Sequence, residues 1–107
     1  MGEPARGCRG TVTVRARASG GYYVPGRTTL PTPAEQSAAL GAAIRRRRVA
    51  RGLTQVEVGR RGGISSQQVN RVELGHTPLL DTLWRIAAAL GTQPSALLGD
   101  AEDALHG

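Results

Sequence analysis

The stretch TQVEVGRRGGISSQQVNRVELG, residues 54–75, decides the fold of this chain. Two segments within it begin with a hydroxyl residue, Thr54 and Ser65, that is followed three positions later by Glu or Gln. This spacing is typical of a capping box, in which both side chains accept backbone N–H groups that the first turn of a helix leaves unpaired. Gly63 lies between the two segments, and glycine commonly ends a helix. The stretch therefore predicts two short helices joined by a tight turn.

Apolar residues at helical spacing predict further helices on both sides of this pair. Leu40 and Ile44 lie on one face of a first helix, and Pro94 opens a short fifth helix. The apolar positions of the fourth and fifth helices are Leu80, Leu83, Ile86, Ala87, Leu90, Leu97 and Leu98. We therefore predict an all-α, compact five-helix domain over residues 34–99 that contains a helix-turn-helix. An acidic tail, residues 100–107, is expected to fray.

Residues 1–33 differ in composition from the helical domain. Gly and Pro occur throughout this segment, which disfavours a helix. Residues 11–18 alternate like a two-faced strand, and the Tyr-Tyr-Val at residues 22–24 is a candidate partner strand in a hairpin. Because an isolated hairpin is marginal in water, we expect a basic leader that is mobile or weakly β-structured.

The chain has 107 residues and a net charge of +6, and all of its basic side chains apart from histidine are arginines. This length suits one domain and excludes a large multidomain enzyme. Every arginine except Arg85 precedes residue 76, whereas half of the acidic residues follow it. A high-GC coding bias accounts for the abundance of Arg and Gly but not for this segregation. The distribution predicts a basic face for a polyanion such as a nucleic-acid backbone.

Five sequence features, in order, resemble the lambda-repressor-like family, also called Cro or Xre. They are RGLTQ at residues 51–55, the turn glycine Gly63, Glu-x-Gly at residues 73–75, PLLDTL at residues 78–83 and LG-x-x-P-x-x-LL at residues 90–98. The similarity extends over residues 40–98. It implies a sequence-specific DNA-binding transcription regulator whose second motif helix enters the major groove.

The second motif helix carries the candidate base-contacting residues. Val69 and Val72 are predicted to face the core, so the outward positions hold amide, hydroxyl and guanidinium groups. These positions are Ser66, Gln67, Asn70 and Arg71, flanked by Ser65 and Gln68. In the major groove, Gln or Asn can pair with adenine and Arg with guanine. We expect Gln67 and Arg71 to contribute most, followed by Ser66.

Three residues outside that helix are candidate phosphate contacts. The resemblance implies that Gln55, at the start of the first motif helix, donates to a phosphate. The backbone N–H groups at the same helix start also attract an anion. His76 and Thr77, directly after the second motif helix, are second-rank candidates.

Four consecutive arginines, residues 45–48, lie on the first predicted helix. Four helical residues sweep about 300°, so they do not share one face. Arg48 lies on the side of Ile44, where an unpaired buried charge is costly. The resemblance implies an ion pair between the first and third helices at Arg48 and Glu73. We therefore predict a structural role for Arg48.

The resemblance also implies a homodimer on a pseudo-palindromic operator, most simply a repressor. Dimers of such proteins bind two half-sites about one DNA turn apart. The expected pairing surface lies near the fifth helix and includes Gln93, Leu97 and Leu98. Trp84 is predicted at the edge of the core, with a dimer contact as the alternative.

A second function remains open from the sequence. The family includes antitoxins, so the chain is alternatively a protein-binding module of a toxin–antitoxin pair that also represses its own operon. In that case the leader or the tail binds the toxin. A third role for the basic leader is an arm along DNA, because Arg can enter a narrow minor groove.

Nothing in the sequence favours catalysis. There is no Gly-rich phosphate loop with a Lys and no cluster of metal-ligand side chains. A single cysteine, Cys8, excludes an intramolecular disulfide, and we expect no cofactor and no metal. No apolar run has the length of a membrane span. We expect a cytoplasmic protein of bacterial or phage origin, associated with the nucleoid when bound to DNA.

Two glycines depart from the family pattern. Gly59 and Gly62 stand where family members commonly have alanine. Glycine inside a helix costs roughly 0.5–1 kcal/mol relative to alanine. The two glycines therefore predict a domain of modest stability.

Overall fold

The computed structural model describes residues 30–106, which form five α-helices joined by short loops. These helices are α1 (Pro33–Ala50), α2 (Gln55–Gly62), α3 (Ser66–Glu73), α4 (Leu80–Ala89) and α5 (Pro94–His106). No strand occurs in this range, and none of its helices is long and apolar enough to cross a membrane. The predicted all-α class with five helices is confirmed. The hairpin or DNA arm predicted for the leader lies outside the described residues.

Capping boxes begin the first three helices. The two predicted at α2 and α3 are both present. At α1, Thr32 Oγ1 accepts the backbone N–H of Glu35 at 3.1 Å, and the Glu35 carboxylate accepts the N–H of Thr32 at 2.8 Å. Pro33 follows at the first helical position, where no N–H donor is needed. The helix therefore begins one residue before residue 34, the predicted start of the helical domain.

Every helix contributes to one hydrophobic core. Helix α1 packs against α3 and α5, while α2 packs against α3 and α4. The largest fully buried side chains are Ile44, Val58, Val69, Ile86, Leu90 and Leu97. Because α3 supplies Val69 to this core, its inward face is fixed and its opposite face is presented to solvent.

The last helix corrects the expectation of a frayed acidic tail. Helix α5 continues to His106, and Ala101 is buried. Arg47 Nε donates to Asp100 Oδ2 at 2.6 Å, and Arg47 Nη2 donates to Asp100 Oδ1 at 3.3 Å. This two-bond contact joins α1 to the middle of α5. Asp100 therefore has a structural role.

Three helical glycines lie where two segments approach too closely for a side chain. A Cβ on Gly59 would lie 2.6 Å from the carbonyl oxygen of Ile64, and one on Gly62 would lie 2.8 Å from that of Arg85. A Cβ on Gly41 would overlap the backbone at the end of α3. Alanine therefore does not fit at Gly59 or Gly62 without movement. The expected penalty of these glycines relative to alanine does not apply in this packing.

Candidate nucleic-acid interface

The turn between α2 and α3 fixes the position of α3 on the domain. Gly63 ends α2 in the left-handed conformation, with φ 73° and ψ 31°, which glycine adopts without steric cost. Gly59 brings the backbone of α2 close to the first residues of α3. On the other side, Gly41 brings α1 equally close to the last residues of α3. Helix α3 is therefore held at both ends by backbone contacts.

The outward face of α3 carries three exposed polar side chains. Gln67, Asn70 and Arg71 are exposed, whereas Val69 and Val72 are buried. Positions 67, 70 and 71 lie on one side because residues three and four apart are neighbours on a helix. The face thus combines two amides and a guanidinium on an element of the width that the major groove admits.

The start of α3 uses two of the predicted contact residues as a cap. Ser65 Oγ accepts the backbone N–H of Gln68 at 3.1 Å, and Gln68 Oε1 accepts the N–H of Ser65 at 3.0 Å. The neighbouring Ser66 is partly buried. Ser65 and Gln68 therefore orient the first turn of α3. The cap occupies the oxygen of the Gln68 amide but not its NH₂ group.

Helix α2 begins with the equivalent cap. The carboxylate of Glu57 accepts the backbone N–H of Thr54 at 2.8 Å. This hydrogen bond holds the pKa of Glu57 below its usual value, because it favours the charged form. The negative charge is thereby maintained in the first turn, where it complements the helix dipole.

Arg48 and Glu73 form an ion pair between α1 and α3. Arg48 Nε donates to Glu73 Oε2 at 2.6 Å, and Nη2 donates to Oε1 at 3.0 Å. The two side chains are 13% and 4% exposed. Arg48 Nη1 also donates to the carbonyl of Leu53 at 2.9 Å. The hydrogen bonds to Glu73 raise the pKa of Arg48 above its ordinary value, so the guanidinium is charged.

Gln55 connects this ion pair to the outward face of α3. Its Nε2 group donates to Glu73 Oε1 and to Asn70 Oδ1, both at 3.0 Å. Both N–H bonds of the Gln55 amide are thus used inside the protein. The phosphate contact expected of Gln55 stays a prediction. No sequence pattern indicates the Gln55–Asn70 contact, because it joins two separate helices.

His76 and Thr77 are exposed in the loop after α3. Thr77 Oγ1 lies 2.6 Å from the Oγ of Ser37, a buried residue of α1. The backbone N–H of His76 donates to the carbonyl of Arg71 at 3.0 Å. The loop is therefore attached to both α1 and α3. Ser37 was missed by the sequence analysis because it lies 40 positions before its partner.

The residues predicted at a dimer surface separate into two groups. Leu97 is fully buried in the core, so it is not available to a second copy, and its assignment is wrong. Gln93 is exposed, and Leu98 is 46% exposed. Trp84 is 55% exposed, which places it on the surface rather than at the core edge. Leu80, one turn before Trp84 on α4, is also exposed.

Exposed arginines lie on the helices that adjoin α3. They are Arg45 and Arg46 on α1, and Arg60 and Arg61 on α2. Three of the acidic residues on α4 and α5 are exposed as well: Asp81, Glu102 and Asp103. Within residues 30–106, no group of His, Cys, Asp or Glu side chains is arranged to hold a metal ion. The exposed arginines of α1 and α2 supply the positive charge that suits a polyanion.

Comparison with known proteins identifies the family. The family model for the HTH_3 helix-turn-helix matches residues 44–97. That segment runs from the core residue Ile44 of α1 to Leu97 of α5 and includes all of α2, α3 and α4. The chain belongs to the HTH_3 helix-turn-helix family. No curated protein sequence matches it.

Solved structures of regulators are similar to this chain. The clp gene regulator ClgR from Corynebacterium glutamicum is 26% identical, with a TM-score of 0.63, and the match covers 66% of this chain and 77% of that chain. The hypothetical transcription factor NHTF from Neisseria is 31% identical, with a TM-score of 0.56 and coverage of 71% and 84%. The restriction-modification controller protein C.AhdI from Aeromonas hydrophila is 29% identical, with a TM-score of 0.55 and coverage of 57% and 94%.

The family and these neighbours define the functional class. The chain is a DNA-binding transcription regulator. This class points away from an enzyme. The predicted resemblance to lambda-repressor-like proteins is confirmed at the level of the HTH_3 family.

Proposed function

We propose that the protein is a repressor that binds a pseudo-palindromic operator as a homodimer. The observation that carries this proposal is the outward face of α3, where Gln67, Asn70 and Arg71 are exposed on a helix whose inner face is locked into the core. A helix held in this way presents its side chains in one register, which base recognition in the major groove requires. Occupation of a promoter by such a dimer blocks transcription.

Arg71 and Gln67 have the chemistry to contact base edges directly. The Arg71 guanidinium matches the two acceptors of guanine, O6 and N7, and the Gln67 amide matches the donor and acceptor of adenine. Ser66, next to Gln67, contributes a hydroxyl that accepts or donates. His76 and Thr77 are the corresponding candidates for phosphate contacts at the other end of α3.

The exposed strip of α4 is the surface proposed for pairing two copies. Leu80 is 67% exposed and Trp84 is 55% exposed, and they lie one turn apart. Two large apolar side chains on one face are costly in water and are typical of an interface. A second copy is the proposed occupant, because a two-fold operator requires two α3 helices in fixed relation. Leu98 and Gln93 on and before α5 are further candidates for the same surface.

Selection of binding sites from a randomised DNA duplex pool tests the proposal. The purified chain is expected to enrich a motif with two inverted half-sites about one helical turn apart. Replacing Arg71 or Gln67 by alanine is expected to weaken binding to that motif by about 1–3 kcal/mol and to weaken binding to unrelated DNA far less. Transcription from a promoter that carries the motif should fall when the protein is present.

Arg60→Ala is the matched control for Arg71→Ala, because it removes the same charge from an exposed position on α2. A lost phosphate contact lowers affinity for all sequences by a similar factor. Equal losses for the Arg71 variant on the motif and on unrelated DNA contradict base contact by α3. A motif without inverted symmetry contradicts the dimer on a pseudo-palindrome.

A further inference from the structure

The capping boxes of α1, α2 and α3 differ in the residue that completes them. Glu35 completes the box in α1 and Glu57 in α2, whereas Gln68 completes it in α3. No acidic residue lies in the first turn of α3. A carboxylate in the first turn complements the positive end of the helix dipole, and an amide lacks this contribution. The start of α3 is therefore less stabilised than a glutamate would make it.

The cap fixes the orientation of the Gln68 amide. The backbone N–H of Ser65 can only donate, so Gln68 directs its oxygen toward that group, at an N–Oε1 distance of 3.0 Å. Ser65 Oγ also donates to the same oxygen at 3.4 Å. Within residues 30–106, no acceptor binds the NH₂ group of Gln68, and the residue is exposed. The NH₂ group is thus available to a ligand outside the domain.

Gln68 lies on one flank of the exposed face of α3. Successive helical residues are about 100° apart, so Gln68 lies about 100° from Gln67, on the same side as Arg71 one turn later. A helix with its side chains is about 10–12 Å across, and the major groove is about 12 Å wide. The middle of the face therefore meets base edges, whereas its flanks lie against the sugar–phosphate backbones.

We propose that Gln68 has two roles, capping α3 through its amide oxygen and binding a phosphate oxygen of the operator through its NH₂ group. This inference rests on the proposed function, since the phosphate belongs to the DNA whose groove α3 enters. It changes the role expected of Gln68 from a base contact to a backbone contact. It also explains the amide, because a carboxylate is the better cap but repels a phosphate.

Gln68→Glu separates the two roles, because the carboxylate still accepts from Ser65 but has no hydrogen to donate. The variant is expected to melt roughly 1–5 °C above the wild type, owing to the favourable charge in the first turn. Its affinity for the selected operator is expected to fall about ten- to a hundredfold. Circular dichroism measures the first effect and fluorescence anisotropy titration the second. A purely structural role of Gln68 predicts that stability and affinity change in the same direction.

Operators that carry one uncharged methylphosphonate per half-site identify the contacted phosphate. Replacement of that phosphate is expected to weaken binding of the wild type about tenfold, because the charge-assisted hydrogen bond is lost. The same replacement is expected to strengthen binding of Gln68→Glu several-fold, since it removes the repulsion. For Gln68→Met, which has neither donor nor charge, it is expected to change affinity by less than about twofold.

Gln36→Glu is the matched control. It makes the same substitution at an exposed position in the first turn of α1, where the Gln36 amide donates to the carbonyl of Pro31. Its affinity is expected to stay within about threefold of the wild type, as for an exposed charge that contacts no phosphate. No single methylphosphonate should distinguish this variant from the wild type.

Four results would overturn the inference. They are a Gln68→Glu variant that binds the operator as tightly as the wild type, a Gln68→Glu variant that melts below the wild type, a scan in which no phosphate distinguishes the wild type from Gln68→Met, and a Gln68→Met variant with an altered base preference at one motif position. The last would assign Gln68 to a base instead. Failure of the wild type to enrich any sequence is a separate result, which contradicts the proposed function itself.

Discussion

The side chain of Glu73 joins α3 to both α1 and α2. Its carboxylate accepts two hydrogen bonds from Arg48 and one from Gln55, and its side chain is nearly inaccessible to water. A buried ion pair contributes little net stability when intact, because desolvation offsets the attraction, but removal of one partner leaves an uncompensated charge. Glu73 therefore couples the stability of the domain to the placement of α3.

Glu73→Ala is expected to lower the free energy of unfolding by about 3 kcal/mol, because it leaves the Arg48 guanidinium unpaired at a largely buried site. Thermal or urea denaturation followed by circular dichroism measures the change. Asp81→Ala is the control: it removes the partner of Arg85 in an ion pair in which the side chains are 48% and 74% exposed. Such a surface pair is worth about 0–1 kcal/mol. Equal effects of the two substitutions would count against a structural role of the Arg48–Glu73 pair.

The effect of replacing a helical glycine by alanine depends on the space around a Cβ at that position. Gly59→Ala is expected to destabilise the protein by about 1–3 kcal/mol, because its Cβ meets the fixed carbonyl of Ile64 at 2.6 Å. Gly99→Ala is expected to stabilise it by roughly 0.5–1 kcal/mol, because no atom lies within 4 Å of a Cβ at that position of α5. Melting temperatures of the two variants should therefore move in opposite directions. A stabilised Gly59→Ala variant contradicts the close approach of α2 and α3.

The sequence predicts those helix boundaries that local contacts determine. The capping boxes at Thr54 and Ser65 and the turn glycine Gly63 are each complete within a few residues, so the start and end of α2 and the start of α3 follow from them. The end of α5 does not follow from a local pattern, because the ion pair that attaches this helix to α1 joins Arg47 to Asp100 across 53 positions. The sequence of this acidic segment alone does not indicate that contact.

In the candidate site, too, local patterns predict some features, whereas others depend on contacts between distant residues. The inward placement of Val69 and Val72 predicts the exposure of Gln67 and Arg71, since helical period alone requires it. The use of the Gln55 amide within the protein depends on how α2 crosses α3, which periodicity does not specify. The burial of Leu97 was likewise missed, because two adjacent leucines at the end of a pattern do not reveal which one faces the core.

The Arg47–Asp100 contact makes the attachment of α5 depend on pH. The Arg47 guanidinium holds the pKa of Asp100 below its usual value, so the contribution is fully present above the unfolded pKa of about 3.9. It is lost as the pH falls through the lower, folded pKa. Asp100→Asn is expected to melt below the wild type near neutral pH, and the difference should shrink as the pH is lowered below about 4.

Melting temperatures measured from pH 7 down to pH 2.5 check this dependence. Glu57, whose pKa is also lowered, contributes acid sensitivity of the same sign in both forms and cancels in the difference between them. Glu102→Gln is the control, because it removes an exposed charge from the same helix two residues further on. A difference between wild type and Asp100→Asn that stays constant across this range argues against the ion pair as the anchor of α5.

Within residues 30–106, exposed arginines are most frequent on α1 to α3, and two large apolar side chains, Leu80 and Trp84, are exposed one turn apart on α4. A protein that binds a two-fold operator needs both kinds of surface, one for phosphates and bases and the other for the second copy. Each copy carries one α3, so occupation of a two-fold operator requires a second copy.

Trp84→Glu is expected to convert a dimer into a monomer, because it places a charge in the apolar strip that two copies are proposed to bury. Sedimentation equilibrium over a range of protein concentrations measures the association, and binding to one and two half-sites measures its effect on DNA. The variant should bind a single half-site as well as the wild type but lose the tighter binding to the full operator. Val49→Glu is the control, since Val49 is a similarly exposed apolar residue, 58% accessible, on α1. A Trp84→Glu protein that remains dimeric would place the pairing surface elsewhere. A wild type that stays monomeric even on the full operator would contradict the proposed dimer.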